Sequence, residues 1–275
     1  MSAQSRERFA DVVRAEPVDL ATACLLIGAE VDAELTVDAG LARLDELAAL
    51  VRPQVPPASM PLQAAEGLRD VLGRQEGFAG SQDDYAHLRS SLLHEVLRRR
   101  RGLPLTLSVV WVEVARRLGV QAEPVGLPGH VVVRIGGPDG FLVDPFAGGA
   151  LLDTDSVAER VRAATGGPLR REHLDPTPPV DLLARLLNNV RALTARQERS
   201  LGAAATRLWA VELSLLLPSH PVALRRERGE LMVRLGDHLG GARALEAYAE
   251  LVDGSDDEGA SQARAEARTA RARLN

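Results

Sequence analysis

Apolar side chains recur three and four positions apart over residues 20–30, 37–51 and 62–72, which predicts three amphipathic helices early in the chain. Val55-Pro56-Pro57 and the stretch from Gly77 to Gly80 punctuate them as loops. A polar run from Ser81 to Asp84 leads into another helix over residues 90–100, which stops at Gly102-Leu103-Pro104. From Pro104 a nearly all-apolar helix runs to Leu118 and ends at Gly119. The pattern then changes to short β-rich runs over residues 123–127, 131–135 and 141–143, followed by a helix over 155–164. After the proline-rich link Asp175 to Pro179, helical periodicity continues from Leu182 to the C-terminus, with breaks at 218–221, 236–241 and 253–259. Helices of this length joined by Gly-containing turns suggest helical hairpins of the tetratricopeptide kind, one repeat fitting between Pro221 and Gly254. The expected class is α+β and mostly helical, with an N-terminal helical region (1–88), a mixed core (89–174) and a helical tail (175–275).

Gly136-Gly137-Pro138-Asp139-Gly140 is a strong turn signal between the second and third β runs, so these form an antiparallel hairpin. If those five residues make the turn, Ile135 faces Phe141, and counting back pairs Val132 with Asp144. Residues two apart share a sheet face, so His130 lies diagonally beside Asp144, about 7 Å away at the backbone. An imidazole and a carboxylate can meet across that gap. Two readings stay open: Asp144 satisfies a half-buried structural His130, or it orients the imidazole as the acid does in a nucleophile–His–Asp arrangement. Pro128-Gly129 sets a tight entry before His130, and Pro145 ends the strand after Asp144. The helix starting at Pro104 adds free N–H groups and a positive dipole end to the same neighbourhood.

Charge and composition remove several function classes. A net charge of -5 with 3% aromatic residues offers nucleic acid neither electrostatic attraction nor stacking platforms. The one cysteine, Cys24, excludes an intrachain disulfide and a Cys-rich zinc site, and its place in an apolar helix predicts a buried, inert thiol. His87 and His94 lack carboxylates at helical spacing, so no metal site is expected. The longest apolar stretch, residues 103–112, falls short of a membrane span, and the start of the chain does not read as a secretory signal; a cytoplasmic protein is expected. Every basic side chain apart from histidine is arginine, and Arg98 to Arg101 cluster at a helix C-terminus, where the dipole favours cations. Asn188 and Asn189, in an apolar helix, suggest a buried amide satisfying backbone groups. Trp209 and Tyr248 read as core anchors of the tail.

The segments Val96 to Ser108, Ala115 to Val120, Pro128-Gly129-His130 and Asp144 to Gly149 together resemble the bacterial SirB family of transglutaminase-like proteins. The resemblance extends to residues 41–47 and 182–190, covering nearly the whole chain, and the same core occurs in a eukaryotic F-box protein. It implies a papain-like core, a small antiparallel sheet on a central helix, followed by a tetratricopeptide-like tail. In active transglutaminase-like enzymes a cysteine opens that helix. By the resemblance His130 and Asp144 take the histidine and aspartate positions, while counting back from Gly119 puts Pro104 at the nucleophile. Proline suits the first turn of a helix but cannot attack a carbonyl.

No neighbouring residue replaces the cysteine well. Ser108 lies one turn on, roughly 6 Å along the helix, and Thr106 faces the opposite side. Arg101, Pro104, Thr106, Ser108, Gly129 and Arg134 are the expected binding residues of the cleft, Arg134 sharing the His130 face as a counter-charge. The leading expectation is a non-catalytic protein that binds a protein or peptide partner, without cofactor or metal. The alternative is a hydrolase or acyltransferase using His130 and Asp144 as a general base. A third possibility is a small anionic ligand at the helix start.

Overall fold

The computed structural model describes residues 3–197 and 199–273. It divides into two compact units, Met1–Arg8 with Ala15–Leu186 and Phe9–Arg14 with Leu187–Asn275. The architecture is mostly helical with one small antiparallel sheet, as the periodicity predicts, and the sheet has four strands where three β-rich runs are expected.

Helix α1 (Ala3–Arg14) comes first among the described residues; in the first unit, α2 (Leu20–Gly28) is buried along its whole length and is capped by Asp19, which accepts from the Thr22 N–H. Cys24 is 1% exposed within it. Next come α3 (Val37–Val51) and α4 (Pro61–Leu68), the latter continuing as a π-helical stretch over Arg69–Gln75. The single helix expected over 90–100 is instead a 3₁₀ turn, Leu88–Ser91, and a shorter α5, Leu93–Arg99. The Ser90 carbonyl accounts for this, since it accepts from the Leu103 N–H and the Thr106 hydroxyl, which binds it to the following strap rather than to a helical ladder.

Helix α6 (Pro104–Arg117) is the centre of the unit. Proline occupies its first turn, every residue from Pro104 to Ala115 is buried, and the helix packs against α2, α3, α5, β1 and β2. Trp111 meets Phe78 edge-to-face at 6.2 Å between ring centroids. The helix ends where Gly119 takes φ +74°.

Strands β1 (Ala122–Val125), β2 (Val132–Ile135), β3 (Phe141–Asp144) and β4 (Ala150–Leu152) form a meander in chain order. Ile135 pairs with Phe141 and Val133 with Val143, the register that the five-residue turn predicts. Gly136 and Gly137 open that turn at φ +96° and +85°, conformations that a side chain would strain. Val125, Val132, Leu142 and Leu152 cluster with Val157 and Val161 of α7 (Thr154–Thr165), so that helix covers the other side of the sheet. Helix α8 (Pro179–Ala195) follows, and the boundary between the units falls within it.

The second unit stacks α9 (Leu201–Ser214), α10 (Ala223–Arg234), α11 (His238–Val252) and α12 (Asp257–Ala272) as successive packed neighbours. Trp209 and Tyr248 are buried in it. Gly240 and Gly241, expected in a break, lie inside α11. The Asp237 carboxylate caps the Gly240 N–H, and a Cβ on Gly241 would come 2.8 Å from the Gly229 carbonyl. Glycine here serves close helix packing, so its presence did not mark a loop. Asn188 is exposed and its side-chain oxygen accepts from Arg191, so no buried amide is formed there.

Candidate functional site

The segment Leu127-Pro128-Gly129-His130 closes a tight turn in which the His130 N–H donates to the Leu127 carbonyl at 3.1 Å. Proline and then a glycine at φ +71° supply the dihedrals of a type II turn, so Gly129 shapes the approach to His130. The turn delivers the imidazole to the end of β3. There Nε2 lies 3.0 Å from Oδ1 of Asp144, whose side chain is 1% exposed against 12% for His130. His130 Nδ1 makes no hydrogen bond among the described residues.

Two groups hold Asp144 besides the imidazole. Its own Oδ1 accepts from the Phe146 N–H at 3.0 Å, closing a short 3₁₀ turn over Pro145–Ala147. The Arg160 guanidinium of α7 stands 3.0 Å from Oδ2, yet that oxygen has no aligned hydrogen bond, so the contact is one of charge. Burial by itself would raise the Asp144 carboxyl. The hydrogen bond and charge of His130, with Arg160 and the Phe146 N–H, outweigh burial and hold it below the usual carboxylate range.

Phe146 forms an aromatic shelf beside the pair, edge-on to His130 at 5.9 Å and to Tyr85 at 6.0 Å. Tyr85 is 39% exposed, and burial together with the Asp144 charge pushes its phenol up. The shelf is fitted tightly. A Cβ on Gly80 would sit 2.0 Å from the Phe146 ring and 2.7 Å from the Gly102 carbonyl, so the ring reaches the strap that leads into Pro104. Helix α6 itself packs on the Pro145–Ala147 turn.

The other expected binding residues are occupied within the protein. Arg101 pairs with Asp84 at 2.9 Å. Thr106 donates to the carbonyls of Ser90 and Leu103, and Ser108 donates to the Val131 carbonyl at 3.3 Å. Arg134 directs its guanidinium to the Leu174 carbonyl, so it is engaged there rather than held ready as a counter-charge for an anionic ligand. The basic run is neutralised as well: Arg98 pairs with Glu95, Arg100 with Glu76, and Arg99 stands 3.9 Å from Asp84. Buried Pro104 starts the helix and offers no donor or nucleophile. Burial drives the Cys24 thiol far up, which removes it as a nucleophile. Among the described residues no group of three or more metal-binding side chains comes together, and no helix is long and apolar enough to cross a membrane.

Sequence reasoning passed over three residues of this site. Phe146 stands two positions past Asp144, in a segment whose glycines drew attention first. Arg160 lies beside Val157 and Val161, on the flank of a buried stripe. Arg185 donates through Nη2 to the Leu127 carbonyl at 3.1 Å and the His130 carbonyl at 3.0 Å, so it ties both ends of the turn that presents His130. Its one signal in the sequence is a cation at the edge of the Leu182, Leu183, Leu186 and Leu187 stripe.

Residues 38–188 match the model of the transglutaminase-like superfamily, and residues 193–275 match a tetratricopeptide repeat model. A UPF0162 protein of Xylella fastidiosa (strain 9a5c) is 38% identical over 197 residues, 70% of this chain and 68% of the relative. UPF0162 protein PA3419 of Pseudomonas aeruginosa is 33% identical over 191 residues, 68% of this chain and 69% of that one. F-box only protein 21 of Mus musculus is 38% identical over 85 residues, 30% of this chain but 14% of its own length.

Proposed function

From a chain that belongs to the transglutaminase-like superfamily and joins that domain to tetratricopeptide repeats, we propose a protein- or peptide-binding module of the SirB kind that has dispensed with covalent catalysis. The observation that carries this reading is the chemistry at the start of α6. Proline opens the helix, and the two hydroxyls that follow are buried and donate to backbone carbonyls. A hydroxyl so engaged is a poor nucleophile, since attack would require breaking that bond inside a packed core. What the surface keeps is an oriented imidazole with an unbonded Nδ1, flanked by Phe146 and Tyr85. That combination suits a partner which offers one hydrogen-bonding group and an apolar or aromatic side chain. Tetratricopeptide repeats, which generally mediate protein–protein contacts, supply a second surface.

Intact-mass analysis after incubation with an electrophilic amide or ester probe tests the loss of catalysis. The expected result is no stoichiometric adduct on a serine, threonine or cysteine, and an adduct that disappears in His130→Ala overturns the reading. Binding is tested on an array of randomised ten-residue peptides, where His130→Ala or Phe146→Ala removes the signals that the wild-type protein gives. Equal binding by all three proteins, or none by any, counts against the module.

A further inference from the structure

Arg185 is more than half buried and has no carboxylate partner among the described residues. Its two hydrogen bonds both go to backbone carbonyls, Leu127 and His130, at 3.1 and 3.0 Å. Burial pulls its pKa down, as it does for any cation withdrawn from water without a counter-ion. Exposed arginines such as Arg98, Arg116 and Arg271 pair instead with carboxylates. A largely desolvated guanidinium held by two carbonyls and no carboxylate is costly, and it persists where the geometry it enforces matters.

The surroundings are cut to fit it. A Cβ on Gly126 would come 2.1 Å from Arg185 Nη1 and 2.7 Å from the Thr177 hydroxyl, so a side chain at position 126 would displace the guanidinium. Gly126 does not take a positive φ, and its lack of a side chain therefore answers to space and not to backbone conformation. The carbonyls that Arg185 gathers bracket the Pro128-Gly129 turn, and the imidazole leaves the main chain at one end of it. Fixing both ends fixes the direction of the Cα–Cβ bond of His130, and with it the approach of Nε2 to Asp144.

We propose that Arg185 is the positioning residue of the site: by clamping the Leu127–His130 turn it holds His130 in the Nε2–H tautomer facing Asp144 and leaves Nδ1 open. This rests on the reading that the pair is the working part of the surface. Its test, however, reads the imidazole directly and does not depend on any partner.

Long-range ¹H–¹⁵N spectra of the full chain, recorded at a pH high enough that the imidazole is neutral and with the His130 signals identified by their loss in His130→Asn, report which ring nitrogen carries the proton. In the wild-type protein the expected result is one protonated and one bare nitrogen, with Asp144→Asn as the variant that averages them. Arg185→Met is expected to raise the Nδ1–H fraction about threefold or more, and Arg185→Lys, which keeps a cation and its donors, to restore most of the separation. Gly126→Ala, which keeps the arginine but displaces its guanidinium from the turn, reproduces the Arg185→Met spectrum; it carries the test if Arg185→Met does not fold. A folded Arg185→Met or Gly126→Ala protein whose His130 nitrogens match the wild type overturns the proposal. Failure of the binding reading would leave these spectra unchanged.

Discussion

The strap that leads into α6 and the end of the β2–β3 hairpin are each built around a buried aspartate, and the two use their oxygens differently. Asp84, 4% exposed, accepts from the Ser81 N–H and hydroxyl, the Ser90 hydroxyl and the Arg101 guanidinium. Asp144, 1% exposed, accepts from one N–H and one imidazole, and its second oxygen meets Arg160 by charge without an aligned hydrogen bond. Burial pushes both carboxyls up and their partners more than reverse it, so both stay below the usual carboxylate range. The contrast separates a carboxylate spent on holding a loop from one spent on orienting a titratable ring. A saturated aspartate fixes structure, whereas one whose main partner is a histidine carries a readable chemical state.

Removing the hub should have the largest effect. Asp84→Ala strands two serines and an arginine and is expected to lower stability by about 3 kcal/mol in urea denaturation. A loss under about 1 kcal/mol would mean that the strap is not organised by this carboxylate. Asp144→Asn is expected to cost less, about 1–2 kcal/mol at neutral pH, because asparagine still accepts from the Phe146 N–H.

Titration sharpens the difference. A carboxyl whose folded pKa is depressed adds stability that is full above its unfolded value, about 3.9, and is lost as pH falls through the folded value. The gap between wild type and Asp144→Asn should therefore close below about pH 4, measured as thermal midpoints across a pH series. A constant gap would assign the loss to packing. The smallest effect is expected of Arg160→Ala: its side chain is 38% exposed, solvent screens the contact, and the loss should not exceed about 0.5 kcal/mol. A larger one would make Arg160 a necessary counter-ion and bring Asp144 closer to Asp84 in kind.

Much of the fold was legible because it rests on local rules. Val37–Val51 follows from apolar spacing alone, and α6 from a proline at its first turn and a glycine past its end. β4 escaped notice: three residues, Ala150–Leu152, are too few for alternation to register, and pairing with β3 creates the strand. The break between α8 and α9 was also missed, since Ser200, which caps α9 through the Ala203 N–H, sits in a run without glycine or proline.

The sequence by itself determined the two chemical groups of the site and their relation. A turn of five residues sets the register, the register sets which residues share a face, and so His130 and Asp144 are brought together by rules that act over fewer than twenty residues. Tertiary structure alone decided what surrounds them. Arg185 comes from 55 residues further along the chain to clamp the His130 carbonyl, and Gly80 reaches forward to seat Phe146. It also turned Arg101, Thr106, Ser108 and Arg134 inward to partners of their own. Such choices depend on which distant carbonyl or carboxylate is left unpaired when the core closes, and a buried polar group must take whatever partner packing offers.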